Sequence, residues 1–181
     1  MARVNLTSMK AVVHGEPAAV ALASEVEALG AKRVFIIASG TLCRETDEID
    51  KLSGALGSKC AAVFNSMGAH VPRSDVIAAT KMARQAQADL IVTIGGGSPT
   101  DGAKAVALCL ANGIEQPQDI DRLCSAATGI SAPSVPQISI PTTLSAGEFS
   151  AIAGVTNEAT DTKDILRHPG LMPRVVILDA A

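Results

Sequence analysis

Apolar residues along this chain fall into short continuous runs of strand length, and these alternate with longer stretches of helical period. Met9 to His14 reads as a first short strand, and Pro17 to Leu29 as a helix with proline in its first turn and Gly30 past its end. Val34 to Ala38 is apolar without interruption, which predicts a strand covered on both faces. A helix is expected from about Leu42 to Leu56 and a strand over Cys60 to Phe64. Ser74 stands where it would cap a helix running to about Gln87, and Asp89 to Ile94 reads as the next strand. From Pro99 to Ala111 the period is helical again, with Ala103, Val106, Ala107 and Leu110 on one face.

Asn112 to Pro136 is polar and punctuated by proline and glycine, which predicts a surface excursion holding one short helix around Asp119 to Cys124. Gln137 to Ile140 is a short strand stopped by Pro141. Phe149 to Val155 and Arg174 to Leu178 read as extended pieces separated by a polar stretch, a ribbon appended to the main sheet. The alternation as a whole predicts a single α/β domain over 1–181, with a Rossmann-like, mostly parallel sheet flanked by helices.

Composition narrows the function classes. A chain of 181 residues is long enough to bury roughly 70% of the surface its unfolded form exposes, so one domain needs no staples. A net charge of −3 without a basic cluster disfavours nucleic acid and anionic membrane surfaces as partners. Apolar stretches are broken within about ten residues, too short for a membrane span, and the N-terminus lacks a signal-peptide form; a cytoplasmic protein is expected. Cys43, Cys60, Cys109 and Cys124 are widely spaced without a C-x-x-C pair and read as reduced core thiols. With no Trp or Tyr and only Phe35, Phe64 and Phe149, stacking platforms for bases are excluded as a main binding device.

The densest chemical signal is Ile91-Val92-Thr93-Ile94-Gly95-Gly96-Gly97-Ser98-Pro99-Thr100-Asp101-Gly102, where a buried strand, a bare turn and a helix start follow one another directly. Such a turn lets a diphosphate approach the main chain while helix amides and the dipole face the anion. Ser98-Pro99-Thr100-Asp101 also reads as an ordinary helix start, with Ser98 at N-cap and Asp101 three residues on, and a cap needs no ligand. One glycine would suffice for a turn, so three favour a phosphate or dinucleotide site. The fingerprint G-x-G-x-x-G is half met, since Thr100 occupies its third place. Gly96, Gly97 and Ser98 are therefore the candidates for a cofactor diphosphate.

Several ordered segments together resemble the iron-containing alcohol dehydrogenases, with the maleylacetate reductase branch nearest. They are Val12-Val13-His14-Gly15-Glu16, Gly30-Ala31-Lys32-Arg33-Val34, the glycine turn through Ala103-Lys104-Ala105, Ile140-Pro141-Thr142-Thr143 with Glu148, Gly154-Val155-Thr156, and Pro173 to Asp179. Dehydroquinate synthase and glycerol dehydrogenase share the turn, but the first and last segments favour the alcohol dehydrogenases. The resemblance implies a dehydroquinate synthase-like N-terminal domain that binds NAD or NADP. It also implies a helical metal-binding domain after residue 181, carrying an Asp and three His for iron or zinc in the complete enzyme. His14, His70 and His168 sit at no mutual ligand spacing, so no metal ligand is assigned to this chain.

By the same resemblance Thr142 and Thr143 touch the adenosine half of the cofactor, where the bland alternative is a satisfied turn. Ser150 and Lys163 line the nicotinamide end, Lys163 reading equally as a solvated ribbon charge, and Leu178 meets the adenine. Asp101 either caps the helix or reaches past the phosphates toward the nicotinamide. Ser39 and Gly40 follow the second long strand, where a dinucleotide fold offers an acid to the ribose; none stands there, which leaves NAD and NADP both open. After Thr143 the family's Gly-Ser-rich turn is replaced by Leu144-Ser145-Ala146-Gly147-Glu148.

The implied reaction is hydride transfer between nicotinamide and an alcohol or carbonyl, or reduction of a maleylacetate-type substrate. This chain would be its cofactor half, inactive alone. The alternative is a stand-alone nucleotide-binding or scaffolding module. Exposed strand edges point to a homo-oligomer.

Overall fold

The computed structural model describes residues 8–124 and 129–179. Along the chain run β1 (Ala11–His14), α1 (Ala18–Leu29), β2 (Val34–Ala38), α2 (Gly40–Glu45), α3 (Glu48–Leu56), β3 (Cys60–Phe64), α4 (Arg73–Gln85), β4 (Leu90–Gly95) and α5 (Gly97–Ala111). There follow α6 (Asp121–Cys124), β5 (Gln137–Pro141), β6 (Ile152–Asn157), β7 (Thr162–Arg167) and β8 (Val175–Leu178). Six strands form one wholly parallel sheet in the order β1-β8-β5-β4-β2-β3, and β6 and β7 pair antiparallel as a separate hairpin. The Rossmann-like sheet flanked by helices is thus present.

Two cores hold the layers together. One packs α4, α5 and the β6–β7 hairpin against the sheet face bearing Phe35, Ile37 and Ile91; the other packs α1 and α3 against the face bearing Val34, Ile36, Val92 and Ile138. β2 and β4 alternate their side chains between these cores, which is why β2 reads as an unbroken apolar run and β4 as one interrupted only by Thr93.

Four local expectations are corrected, and a fifth, the short helix of the excursion, is met. The helix expected from Leu42 to Leu56 is two helices, because Thr46 is extended and its hydroxyl donates to Leu42 O at 2.8 Å and accepts from Glu48 N at 3.4 Å. Ser74 does not cap α4: it lies in the first turn, and Glu158, from the turn of the hairpin, accepts from both its amide and its hydroxyl. α5 is buried nearly all round rather than on one face, since the hairpin covers what would otherwise be its solvent side. Arg174 to Leu178 is not ribbon: Val175–Leu178 joins the main sheet between β1 and β5, and the polar segment Thr162–Arg167 supplies the hairpin partner. The excursion from Asn112 to Pro136 holds its short helix at Asp121–Cys124, with 125–128 outside the described residues, and is anchored by buried Arg73, which reaches Asp121 at 2.6 Å and Asp164 at 2.7 Å.

All four cysteines are free thiols, Cys109 fully buried and the others half-buried. Burial pushes the Cys109 thiol up to about 12. An unfolded thiol ionises near pH 9 while the buried one does not, so the native state holds the extra proton between about 9 and 12 and this contribution to stability falls as pH rises through that window. Denaturant titrations of the wild type and Cys109→Ala should differ in slope above pH 9, with the variant flatter; parallel slopes would contradict the burial. In the folded protein at pH 8, Cys109 should also resist thiol reagents that label Cys43 and Cys60.

Candidate functional site

The site arises where the carboxyl ends of β2, β3 and β4 meet. From β2 the chain leaves toward β3 through α2 and α3 on one face, and from β4 it leaves toward β5 through α5 on the other. Adjacent strands departing in opposite directions open a crevice at their carboxyl edge, the place where α/β sheets take ligands. A cavity of about 450 Å³ occupies it, lined among others by Ser39, Arg44, Asn65, Gly96, Gly97 and Ser98. No carboxylate lines it.

The glycine turn is held from both sides. Ser39 N donates to Ile94 O at 2.9 Å and Thr142 N donates to Gly95 O at 2.9 Å, which ties the ends of β2, β4 and β5 together. Gly95 has φ 142°, and a Cβ there would stand 3.0 Å from both Pro99 Cγ and Ser39 Cβ. At Gly96 a Cβ would press on Thr143 Oγ1 at 3.2 Å. At Gly97 it would meet only Ser145, at an ordinary 3.5 Å.

α5 begins two residues earlier than a Ser98 cap requires: Gly96 is the N-cap, Gly97 and Ser98 open the first turn, and Pro99 follows third. The cap reading of Ser98 and Asp101 is therefore overturned. Thr100 Oγ1 donates to Gly96 O at 3.1 Å, closing the turn from within, and the Gly97 and Ser98 amides open the helix toward the cavity. Ser98 Oγ accepts from His70 N at 3.2 Å, which leaves its own proton to donate. Fifteen residues of helix dipole end on these groups.

Asp101 lies one turn deeper. Its Oδ2 accepts from Gly154 N at 3.0 Å and its Oδ1 from Lys104 Nζ at 3.4 Å. Both oxygens are occupied and the charge is paired, so this carboxylate does not confront an anion at the glycine turn. Lys104, missed among the sequence candidates, is buried to 1% exposure. Its ammonium donates to Gly147 O at 2.6 Å, Ile152 O at 2.8 Å and Ser150 Oγ at 3.2 Å. Burial lowers its pKa, and the Asp101 charge opposes that shift. Glu148 is buried beside it, and its Oε2 has no hydrogen-bond partner.

The candidates thus divide into groups. Ser39, Gly96, Gly97 and Ser98 line one cavity, and Thr142 and Thr143 flank the turn on its β5 side. Asp101 and Ser150 meet at Lys104. Lys163 joins them only through Gly154, across which its stem lies. Leu178 stands apart at the end of β8, 37% exposed.

A family model described as "Iron-containing alcohol dehydrogenase" matches residues 10–180. The chain belongs to the iron-containing alcohol dehydrogenase family. It is 35% identical over 179 residues to "Dehydrogenase FUM7" of Gibberella moniliformis, an alignment covering 93% of this chain and 42% of that protein. The crystal structure of maleylacetate reductase from Rhizobium sp. superposes with TM-score 0.74 at 31% identity, over 96% of this chain and 42% of the other. Sulfoacetaldehyde reductase from Bifidobacterium kashiwanohense, solved in complex with NAD+, shares the fold with TM-score 0.86 at 20% identity, over 99% of this chain and 46% of that one. The chain therefore spans less than half the length of these relatives. Among the described residues no three His, Cys, Asp or Glu side chains gather into a metal-ligand set, and none of the described helices is long and apolar enough to cross a membrane. The described residues hold no ligand set that fits the family's metal.

Proposed function

We propose that this chain is the dinucleotide-binding part of an NAD(P)-dependent oxidoreductase. One observation carries the reading: a bare glycine turn delivers the start of a long helix into a cavity at the sheet's switch point, with no carboxylate on its wall. The Gly97 and Ser98 amides and the Ser98 hydroxyl donate to the diphosphate. Thr142 and Thr143 border its adenosine side, and Asp101, Ser150 and Lys163 lie toward the nicotinamide, with Leu178 against the adenine. When bound, the nicotinamide supplies or accepts a hydride. The chain's own part is to orient that ring and keep Asp101 neutralised beside a dianionic linker.

The substrate class follows the relatives, an alcohol or carbonyl compound or a maleylacetate-type acid. A metal, which would supply Lewis-acid chemistry, and a helical domain to hold it would belong to the proposed whole enzyme.

Nicotinamide emission tests the reading directly, since the protein has no Trp to interfere. On adding this chain to NADH or NADPH the emission should rise and saturate, and millimolar cofactor should raise the melting temperature. Absence of both effects would refute it.

A further inference from the structure

Between β3 and α4, residues 65–72 form part of the cavity wall and run on to the hairpin. Asn65, Ser66, Met67 and Ala69 line the cavity. The Met67 side chain lies so close on α5 that a Cβ at Gly102 would stand 2.6 Å from its Cε. His70 and Val71 then take φ 63° and 62° in succession. A left-handed conformation is costly for a residue with a Cβ and most so for a β-branched one, so two in a row persist only where their surroundings hold them. Two holds are present. The His70 amide donates to Ser98 Oγ at 3.2 Å. On the other side Thr156, in β6, takes both carbonyls: its Oγ1 donates to His70 O and its amide to Val71 O, each at 2.8 Å. One strained dipeptide thus joins the glycine turn to the hairpin, and two residues back along β6 the Gly154 amide holds Asp101.

Ser98 Oγ is where a ligand meets this linkage. It accepts from the His70 amide, and its own proton has no acceptor among the described residues. An anion seated on the Gly97 and Ser98 amides takes that proton, which fixes the hydroxyl with a lone pair on the His70 amide and strengthens that bond, since hydrogen bonds in series polarise one another. When the hydroxyl rotates away, the strain at His70 and Val71 pulls against the Thr156 hold alone. We infer that residues 65–72 form a strap that relays occupancy of the glycine turn to the β6–β7 hairpin, tightening the hairpin when a diphosphate binds and loosening it when the turn empties. This rests on the cofactor reading above. Linkage makes the relay reciprocal: a change that frees the hairpin end weakens diphosphate binding by the same factor.

Hydrogen exchange with inorganic pyrophosphate tests the strap, because pyrophosphate fills the turn and carries no nicotinamide to touch the hairpin itself. At saturation it should slow exchange at the His70 amide and over 153–157 by about three- to tenfold, the worth of one hydrogen bond. In Ser98→Ala, with pyrophosphate again raised to saturation, the slowing over 153–157 should vanish. Thr156→Val removes the hydroxyl that holds His70 O and lies outside the turn, yet by calorimetry it should weaken pyrophosphate binding about three- to tenfold. If only NADH or NADPH binds, the same comparisons are read with that coenzyme. Unchanged exchange over 153–157 on binding, slowing that survives Ser98→Ala, or wild-type affinity in Thr156→Val would each overturn the strap and leave the cofactor reading standing. Failure of pyrophosphate and both coenzymes to bind would overturn both.

Discussion

Truncating Lys104 to alanine lowers the unfolding free energy by about 3–5 kcal/mol, the usual result of removing one member of a buried charge pair. The loss has identifiable parts. Gly147 O and Ile152 O lose their donor, Ser150 loses its tether, and the Asp101 and Glu148 carboxylates lose the cation between them. Each stranded buried acceptor alone costs about 1–3 kcal/mol. Lys104→Met separates packing from polarity: it refills the volume and still leaves the acceptors bare, so it should recover only part of the stability. Urea titrations of the three proteins check this, and a methionine variant as stable as the wild type would show that the ammonium is not what holds residues 147–152 to α5. The unpaired Asp101 should also weaken NAD(P)H binding in both variants, by more at low salt than at high.

Lys104 shows why part of the site was illegible in the sequence. Along the sequence it stands between Ala103 and Ala105, three residues after Asp101, and a lysine so placed reads as a solvated partner of that acid. What buries it is the β6–β7 hairpin, whose second strand Thr162–Arg167 is too polar to announce itself as a strand. The hairpin therefore hid both the strand and the buried cation beneath it.

The parallel strands were readable because burial on both faces leaves a continuous apolar run, unbroken in Val34–Ala38 and interrupted only by Thr93 in Leu90–Ile94. The glycine turn was readable because its composition is costly unless something approaches closely. Its cap was not: Ser98 and Asp101 have the right spacing for a capping box, but Gly95 to Gly97 let the helix start earlier, and the Gly154 amide and Lys104 take up Asp101 in place of the amides of its own helix start.

The second large effect concerns the three glycines, which the structure assigns to different tasks. Gly95→Ala should destabilise the protein by about 2–5 kcal/mol, combining a backbone conformation that side chains avoid with a Cβ wedged between Pro99 and Ser39. Gly97→Ala should leave stability unchanged or raise it by up to about 1 kcal/mol, because its Cβ meets only Ser145 at van der Waals distance and alanine favours helix over glycine. Nothing within the fold requires position 97 to be bare. If a diphosphate rests on the amides there, Gly97→Ala should nevertheless weaken NADPH binding by about tenfold or more, since the methyl group occupies the approach to the Gly97 and Ser98 amides. Thermal melts and nicotinamide fluorescence on the two variants separate the tasks. A Gly97→Ala protein that is stable and binds NADPH as the wild type does would remove the diphosphate from this turn, whatever Gly95→Ala does to the fold.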